Sequence, residues 1–348
     1  MPVCKRFSPQ AGTINMHVLF VHTGNEQFVK IDRDLLSASF TLQDLHVPAR
    51  FPRSLLRYLR GVARTDIVFC WFASWNSFWA LLLARAFKRP SILVIGGYDV
   101  ANVPEAHYGH QRGGPSRWVS RWAMGLARIL LPFSVYSLQQ ALDNAGIAPQ
   151  RMRLVYLGIP DSFGALPQVP SERMALTVGN VAWPNLRRKG LEPFVRAAAL
   201  LPDVHFVLVG AWFDDSITYL RSIASPNVTF TGWISDEELR ACYLRASVYV
   251  QASLHEGFGL SVAEAMLAGC IPVTTRAGAL PEVVGECGVY TESSDPDSIS
   301  RAIVSALSSS QSDRLRARQR VLTEFTLDRR RQMIDQVMKS AQIKGHVP

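Results

Sequence analysis

The stretch HEGFGLSVAEAMLAGCIPV, His255–Val273, decides how the whole chain is read. It sets two carboxylates, Glu256 and Glu264, eight positions apart, with Gly257, Phe258, Gly259 and Leu260 between them. A helix interior favours neither the glycines nor the first acid. Upstream, ASVYVQAS has the β-branched, apolar make-up of a buried strand, and downstream SVAEAMLAGC is built from helix formers. LHEGFGL is therefore a strand-to-helix loop, of the kind that lies at the carboxyl end of a parallel strand, where ligands bind. Gly257 and Gly259 let backbone N–H groups turn towards a ligand with no Cβ in the way. A helix starting near Leu260 aims its positive end at the same place, which suits a phosphate. Glu264 falls about one turn into that helix. A carboxylate repels phosphate, so it must serve hydrogen-bond donors, and paired sugar hydroxyls fit. A nucleotide joined to a sugar meets both demands.

A second constellation, NVAWPNLRRKG, covers Asn180–Gly190. It follows the strand-like MALTVG and precedes the helical LEPFVRAAALL. This spacing predicts that Arg187, Arg188 and Lys189 crowd a helix start, where the dipole disfavours cations unless an anion meets them. A guanidinium and an ammonium against a diphosphate is the natural assignment.

Working outward, strand-like runs alternate with helical patterns throughout, which predicts parallel sheets with helices on both faces. The first half offers MHVLFVH, DIVFCWFA, SILVIGG, FSVYSL and RLVYLGI. The second offers MALTVGNV, VHFVLVGAW, VTFTGW, ASVYVQA, CIPVTTR and GVYT. With 348 residues, of which 48% are apolar, the chain exceeds one typical core. The expected division is residues 1–160, a linker at 161–173 rich in Pro, Gly and Ser, a second domain at 174–325, and a terminal helical stretch at 326–348. The fold class expected is α/β, two doubly wound Rossmann-like domains facing a central cleft.

From Ile67 to Ala84 there is no charge for eighteen residues, just enough to span a bilayer. Ser74, Asn76 and Ser77 in its middle favour a buried strand followed by a covered helix. Five cysteines (Cys4, Cys70, Cys242, Cys270 and Cys287), with no CxxC pair, point to reduced, buried thiols. The first fifteen residues lack the apolar run of a secretory signal, so a cytoplasmic location is expected.

The net charge of +9 is not spread evenly. Residues 1–165 carry 18 Lys+Arg against 9 Asp+Glu, and the remainder balances. An anionic partner for the first half alone is implied. Arg53, Arg57, Arg60 and Arg64 step by four, three and four, on one stripe of a helix; Arg117, Arg121 and Arg128 form another, beside Trp118 and Trp122. Basic stripes with tryptophans suit an anionic membrane surface. A nucleic-acid partner is not expected, since the aromatics do not form strand platforms.

The sequence resembles the family 4 glycosyltransferases of the GT-B fold. The residues that carry the likeness are, in chain order, LVYLGIPDSF, RRKG followed by FVLVG, FTGWISDEEL, EGFGLSVAE with the E-x7-E pattern at Glu256 and Glu264, AMLAGCIPV and GALPEVVG; the likeness spans roughly residues 16–330. The likeness implies glycosyl transfer with retention of configuration from a nucleoside-diphosphate sugar to a glycan or lipid-linked acceptor, in cell-surface polysaccharide or glycolipid synthesis. It implies that Arg188 and Lys189 bind the diphosphate and that Glu264 binds the ribose. Glu256 and the backbone of Gly257, Phe258, Gly259 and Leu260 would hold the donor sugar and phosphate, with Gly210, Thr231 and Gly232 near the base. It also implies that the terminal helix crosses back to the first domain. Many relatives carry GR where this chain has Gly179-Asn180, so the phosphate contacts rest on Arg188 and Lys189.

Fixed cations and a helix N-terminus can stabilise a departing diphosphate, so no metal or other cofactor is expected. FDDS at Phe213–Ser216 and SDPD at Ser294–Asp297 read as loops or helix caps. In the first half, SILVIGGYDVANVPEAHYGH places Asp99 at a carboxyl strand end, a candidate for accepting the acceptor's proton. Gly24, Asn25 and His107 are further acceptor-side candidates. Two other readings share these residues: a catalytically silent nucleotide-sugar-binding partner subunit, and a GT-B-fold nucleotide-sugar epimerase.

Overall fold

The structure, a computed structural model, describes residues 16–24, 26–47, 55–165 and 172–343. Asn25, Arg53 and Cys4, and residues 166–171 of the expected linker, lie outside the described residues. The chain divides into two compact units, one of 1–102, 108–158 and 327–348, the other of 103–107 and 159–326.

The first unit runs β1 (His17–His22), α1 (Gln27–Ser39), β2 (Thr41–His46), α2 (Leu55–Ala63), β3 (Ile67–Trp71), α3 (Trp75–Ala86), β4 (Ser91–Ile95), α4 (Gly114–Leu126), β5 (Ile129–Pro132) and α5 (Val135–Ala145). The strands form one sheet in the order β2-β1-β3-β4-β5, and every pairing is parallel. β3 and β4 are buried at every position, as strands covered on both faces must be. β2, read as TLQDLH, is polar and mostly exposed because it lies at the edge. The charge-free run Ile67–Ala84 divides into β3 and α3, and the polar groups at the start of α3 support the turn into it. Ser77 Oγ accepts from the Ser74 amide at 2.8 Å, and Asn76 Nδ2 donates to the Val47 carbonyl at 2.9 Å. Among the described residues no helix is long and apolar enough to cross a membrane.

Two expected strands are absent. FSVYSL begins a helix instead: Ser134 caps α5 by accepting from the Ser137 amide at 2.9 Å. RLVYLGI is extended but lies in no named strand. Part of its backbone is taken up by Arg330, whose guanidinium donates to the Val155 and Tyr156 carbonyls at 3.0 and 2.7 Å. Arg330 lies on the long terminal helix Leu327–Ile343, which belongs to the first unit. It also forms a bidentate pair with Asp32 of α1, at 2.5 and 2.6 Å. Both side chains are buried.

The second unit comprises β6 (Glu172–Val178), α6 (Trp183–Arg188), α7 (Leu191–Ala197), β7 (His205–Val209), α8 (Ser216–Ile223), β8 (Val228–Gly232), α9 (Asp236–Arg245), β9 (Ala246–Gln251), α10 (Leu260–Leu267), β10 (Ile271–Thr274), α11 (Leu280–Val284), β11 (Val289–Tyr290), α12 (Pro296–Leu307) and α13 (Gln311–Glu324); the terminal helix of the first unit is α14. Its sheet has the order β11-β10-β9-β6-β7-β8, again parallel throughout. Two doubly wound α/β units are thus present. The short helical turn Pro104–Ala106, expected in the first domain, belongs to the second unit. Cys70 and Cys270 are buried free thiols, and Cys242 and Cys287 are free and half-buried.

Candidate functional site

In the second unit the sheet order β9-β6-β7-β8 brings four carboxyl strand ends side by side. Gly179 follows β6, Gly210 follows β7, Thr231 and Gly232 end β8, and the loop carrying Glu256 follows β9. Backbone bonds draw these ends together. The Gly179 amide donates to Val209 O at 2.8 Å, and the Gly210 amide to Gly232 O at 3.1 Å. A Cβ on Gly210 would lie 2.1 Å from Gly179 O, so only glycine permits this approach.

The cationic turn is built differently from the sequence expectation. Arg187 and Arg188 occupy the last turn of the short helix α6, Lys189 is its C-cap, and α7 starts only at Leu191. The dipole at a helix C-terminus favours cations, so their placement needs no anion to explain it. The case for a phosphate role rests instead on their surroundings. Gly190, at φ +69°, turns the chain so tightly that a Cβ would lie 2.3 Å from Ala252 O. The Leu254 amide donates to Arg188 O at 2.9 Å. The cationic turn and the glutamate loop are therefore in backbone contact. Arg188 is oriented by Asn185, whose Oδ1 accepts from Nε and an Nη at 3.2 and 2.7 Å. Asn185 in turn donates to Asn180 O at 2.8 Å. Burial pulls the Lys189 ammonium below its ordinary pKa, while Glu256 opposes this and Arg188 adds to it.

The loop itself opens α10, with Gly259 at φ +101° as the N-cap. Phe258 is buried against Phe325, ring centroids 5.4 Å apart, so its side chain anchors the loop. Glu256 is held from below. Its carbonyl accepts from the Ala279 amide at 2.9 Å, and Gly278, at φ +61°, packs where a Cβ would lie 2.2 Å from that carbonyl oxygen. His255 is buried, and burial lowers its imidazole to about 4. It is a neutral side chain near pH 7, not a third cation.

We expect Gly278→Ala to fold, at a cost of about 1–2 kcal/mol for the left-handed backbone, and to displace Glu256. On the donor-sugar role that the sequence resemblance implies for Glu256, a displacement of this size is expected to cost about 100-fold in rate. The rate of nucleoside-diphosphate release beside a melting curve checks this; a native rate would show that Glu256 does not need its present position.

Glu264 lies deep in the site. Tyr243 Oη donates to its Oε2 at 3.2 Å, and burial raises its carboxyl from the ordinary 4.5 to about 7. Beside it, Tyr249 Oη accepts from the Val178 amide at 3.3 Å and donates to Gln251 Oε1 at 3.1 Å. Gln251 continues to Ser253 Oγ at 2.6 Å. Tyr243, Tyr249, Gln251 and Ser253 escaped the sequence reading because ACYLRASVYVQAS reads as an ordinary buried helix end and strand. A phenol donating to a buried carboxylate, with a second phenol tying adjoining strands, leaves no trace in hydrophobic periodicity.

The acidic runs serve as caps and turn supports. Asp214 accepts from the Trp183 and Ser216 amides, Asp215 accepts from Trp183 Nε1, and Asp295 caps α12. Among the described residues no three acidic, His or Cys side chains cluster as a metal site.

In the first unit Asp99 is not an exposed base. It is buried, and its carboxylate accepts from the amides of Ala73, Gly96, Gly97 and Val100 at 2.9–3.2 Å. Burial raises its pKa against these donors and His110. Its oxygens are spent on fixing the β4 exit loop, so it organises structure and has no free face for an acceptor hydroxyl. Gly24 sits just past β1, its carbonyl 2.6 Å from His22 Nδ1. His107 is exposed, in a left-handed conformation after the turn Pro104–Ala106, and belongs to the second unit.

Residues 172–309 match the family model described as "Glycosyl transferases group 1". The chain is 28% identical over 199 residues to the O-antigen chain mannosyltransferase B of Escherichia coli, covering 52% of each. It is 31% identical over 183 residues to the MMP alpha-(1->4)-mannosyltransferase of Mycolicibacterium hassiacum, covering 50% of this chain and 44% of that protein. The chain thus spans about half the length of these relatives. Among solved structures, Anabaena HepE in complex with UDP and glucose superposes with a TM-score of 0.76 at 16% identity, over 94% of this chain and all of that one. Sucrose-phosphate synthase from Thermosynechococcus elongatus gives 0.77 at 17% identity, over 94% and 99%. Residues 172–309 are accordingly similar to the glycosyl transferases group 1 family, in a chain of the GT-B fold.

Proposed function

We propose that the chain is a retaining glycosyltransferase that moves a hexosyl unit from a nucleoside-diphosphate sugar to a glycan or lipid-linked acceptor, in building a cell-surface polysaccharide or glycolipid. The observation that carries this reading is the gathering of Lys189, Arg188, Glu256 and the buried Glu264 around adjoining strand ends of one sheet. The activities named for the mannosyltransferase relatives support a hexosyl donor and a polysaccharide product.

In the proposed reaction the bond between sugar C1 and the diphosphate oxygen breaks and an acceptor hydroxyl oxygen bonds to C1. The hydroxyl proton leaves with the diphosphate or to solvent. Lys189, Arg188 and the N-terminus of α10 would stabilise the charge that develops on the diphosphate, so the reaction would need no metal. Glu256 would hold the donor sugar, Glu264 the ribose hydroxyls, and Gly210, Thr231 and Gly232 the base. On the acceptor side Gly24 and His107 stay as candidates, and Asp99 would act by shaping the loop. A cytoplasmic place, at the inner face of a membrane, suits a chain in which residues 1–165 carry the whole excess of positive charge.

Incubation with UDP-, GDP- and ADP-sugars, with the product anomer read by NMR, tests the reading. Diphosphate release with the donor's configuration kept in the product supports it. Interconversion of the donor without release would favour an epimerase, and binding with no turnover under any condition a silent subunit.

Glu264 adds a pH signature. Its folded value lies above the ordinary one, so retention of its proton stabilises the free protein. That contribution is complete below about 4.5 and is lost as the pH rises through about 7. Ribose hydroxyls donate to the carboxylate, so donor binding expels the proton. Donor affinity is expected to rise about 10–30-fold between pH 5.5 and 8, and to be flat over that window in Glu264→Gln. Isothermal titration at several pH values reads both; a native profile as flat as the variant's would remove Glu264 from the donor contacts.

A further inference from the structure

We propose that the outer face of α3 and α4 is a docking surface for an anionic lipid bilayer, on which the first unit rests by burying tryptophans at the headgroup level. The proposal goes beyond glycosyl transfer and does not depend on it.

The face starts from the charge-free run. α3 packs side by side with α4 and touches α2 on its other flank. Its inner positions, Ala80, Leu81 and Ala84, are buried on the sheet. Its outer ridge is apolar as well: Trp75 and Leu82 are exposed, and Phe87 follows exposed at the helix end. An ordinary surface helix presents polar residues there. α4 continues the patch with Trp118 and Trp122, one turn apart. Trp75, Trp118 and Trp122 are 51%, 57% and 56% exposed. With Gly114, Pro115 and Val119 they line a shallow groove of about 660 Å³. Phe78 bridges the helices, its ring 6.4 Å from Trp75 and 6.1 Å from Trp122. The aromatics are therefore held in place by one another, and their exposure is built into the packing. A patch of this kind on a soluble surface marks an interaction site.

The charge around it selects the occupant. α2, α3 and α4 contain no Asp or Glu at all. Leu55, Leu56, Arg57, Arg60 and Arg64 of the α2 region are exposed, as are Arg85 and Lys88 beside Phe87. Tryptophans flanked by arginine and lysine, with no acid among them, match a bilayer interface bearing anionic headgroups. A protein partner would also be met by an apolar groove, but nothing there would require the acids to be missing from three consecutive helices.

The structure also revises which arginines take part. Arg121 lies on the flank of α4, where its Nε donates to Gln111 Oε1 at 3.1 Å and an Nη donates to Asn144 O. Its guanidinium is thus committed to bracing α4 against its neighbours. The basic contribution falls to Arg57, Arg60, Arg64 and Arg85.

The test is co-sedimentation of the full chain with vesicles of pure phosphatidylcholine and with vesicles containing 30% phosphatidylglycerol, at low and high salt. The expected result is binding to the anionic vesicles only, about fivefold weaker for each of Arg57→Gln and Arg60→Gln, and weakened by salt. Trp118→Gln with Trp122→Gln should abolish it, while melting temperature and nucleoside-diphosphate affinity in solution stay native. These solution readouts separate a failure here from a failure of the donor site. Absence of native binding, equal binding to both vesicle types, or full binding by the double tryptophan variant would each overturn the proposal. So would a native dimer that the same variant makes monomeric, with no vesicle binding, since the face would then cover a second copy.

Discussion

Lys189→Ala is expected to lower kcat/KM for donor turnover about 10²–10³-fold while leaving the melting temperature close to native. The size follows from removing one fixed charge from a developing oxyanion in a site of low dielectric. Lys189 is suited to this because its stem packs against Gly179, where an added Cβ would lie 3.1 Å from the lysine Cδ, and its ammonium feels the charges of both Glu256 and Arg188. Burial already strains the charged form, and an incoming diphosphate relieves that strain. Lys189→Arg is not a conservative change here, since a guanidinium on a longer stem cannot follow the same path beside Gly179. Steady-state rates with the preferred donor, beside a thermal melt, check both variants. Turnover within a factor of three of native in Lys189→Ala would remove the lysine from the mechanism.

Asp32→Ala carries the largest expected effect on stability, and through a different part of the molecule. Asp32 and Arg330 are both almost wholly buried, and the pair is bidentate. Arg330 also satisfies two carbonyls of the extended segment that replaces an expected strand, and its guanidinium lies 5.7 Å from the Trp71 ring. Removing the carboxylate leaves a buried cation with no counter-ion, a loss of about 3–5 kcal/mol. In a unit of this size that corresponds to a fall of roughly 6–20 °C in melting temperature. Asp32→Ala with Arg330→Met should recover much of the loss, because the stranded charge goes with its partner. A calorimetric scan in which only the transition of the first unit moves is the expected result, and an unmoved scan would show that α14 is held by other contacts.

Much of this molecule was legible in the sequence, for reasons that differ from place to place. Strands buried on both faces wrote themselves as unbroken apolar runs, so β1, β3, β4, β7 and β9 could be read directly. β2 could not, because an edge strand with one wet side reads TLQDLH, like a loop. FSVYSL has strand composition, yet Ser134 captures the Ser137 amide and turns the chain into α5. That competition between a side chain and the ladder is local and invisible to periodicity.

The site divides the same way. The glycines and acids of HEGFGLSVAE announce an anion-binding helix start because each residue type has a stereochemical reason to be there. The cationic turn was placed correctly in the chain but on the wrong helix. Pro184 opens a short helix of its own, so Arg187 and Arg188 end α6 and do not begin α7. Asp99 looked like a base because a carboxylate at a strand end is chemically apt. Only the folded loop shows four amides already using it. Trp118 and Trp122 were legible beside a basic stripe, but that Trp75 and the outer ridge of α3 join them required the structure, since periodicity does not say that this ridge is left uncovered.

The central claim is that adjoining strand ends of the second unit form a nucleoside-diphosphate-sugar site whose cations and carboxylates act together. Isothermal titration of UDP, GDP and ADP into the native chain and into Glu264→Ala, at pH 8 with and without EDTA, tests it most directly. The account predicts saturable binding of at least one nucleotide, unchanged by EDTA, and weakened at least tenfold in the variant, as expected when hydrogen bonds to a charged group are lost. Equal affinity in native and variant chains, or no binding of any of the three, would contradict it.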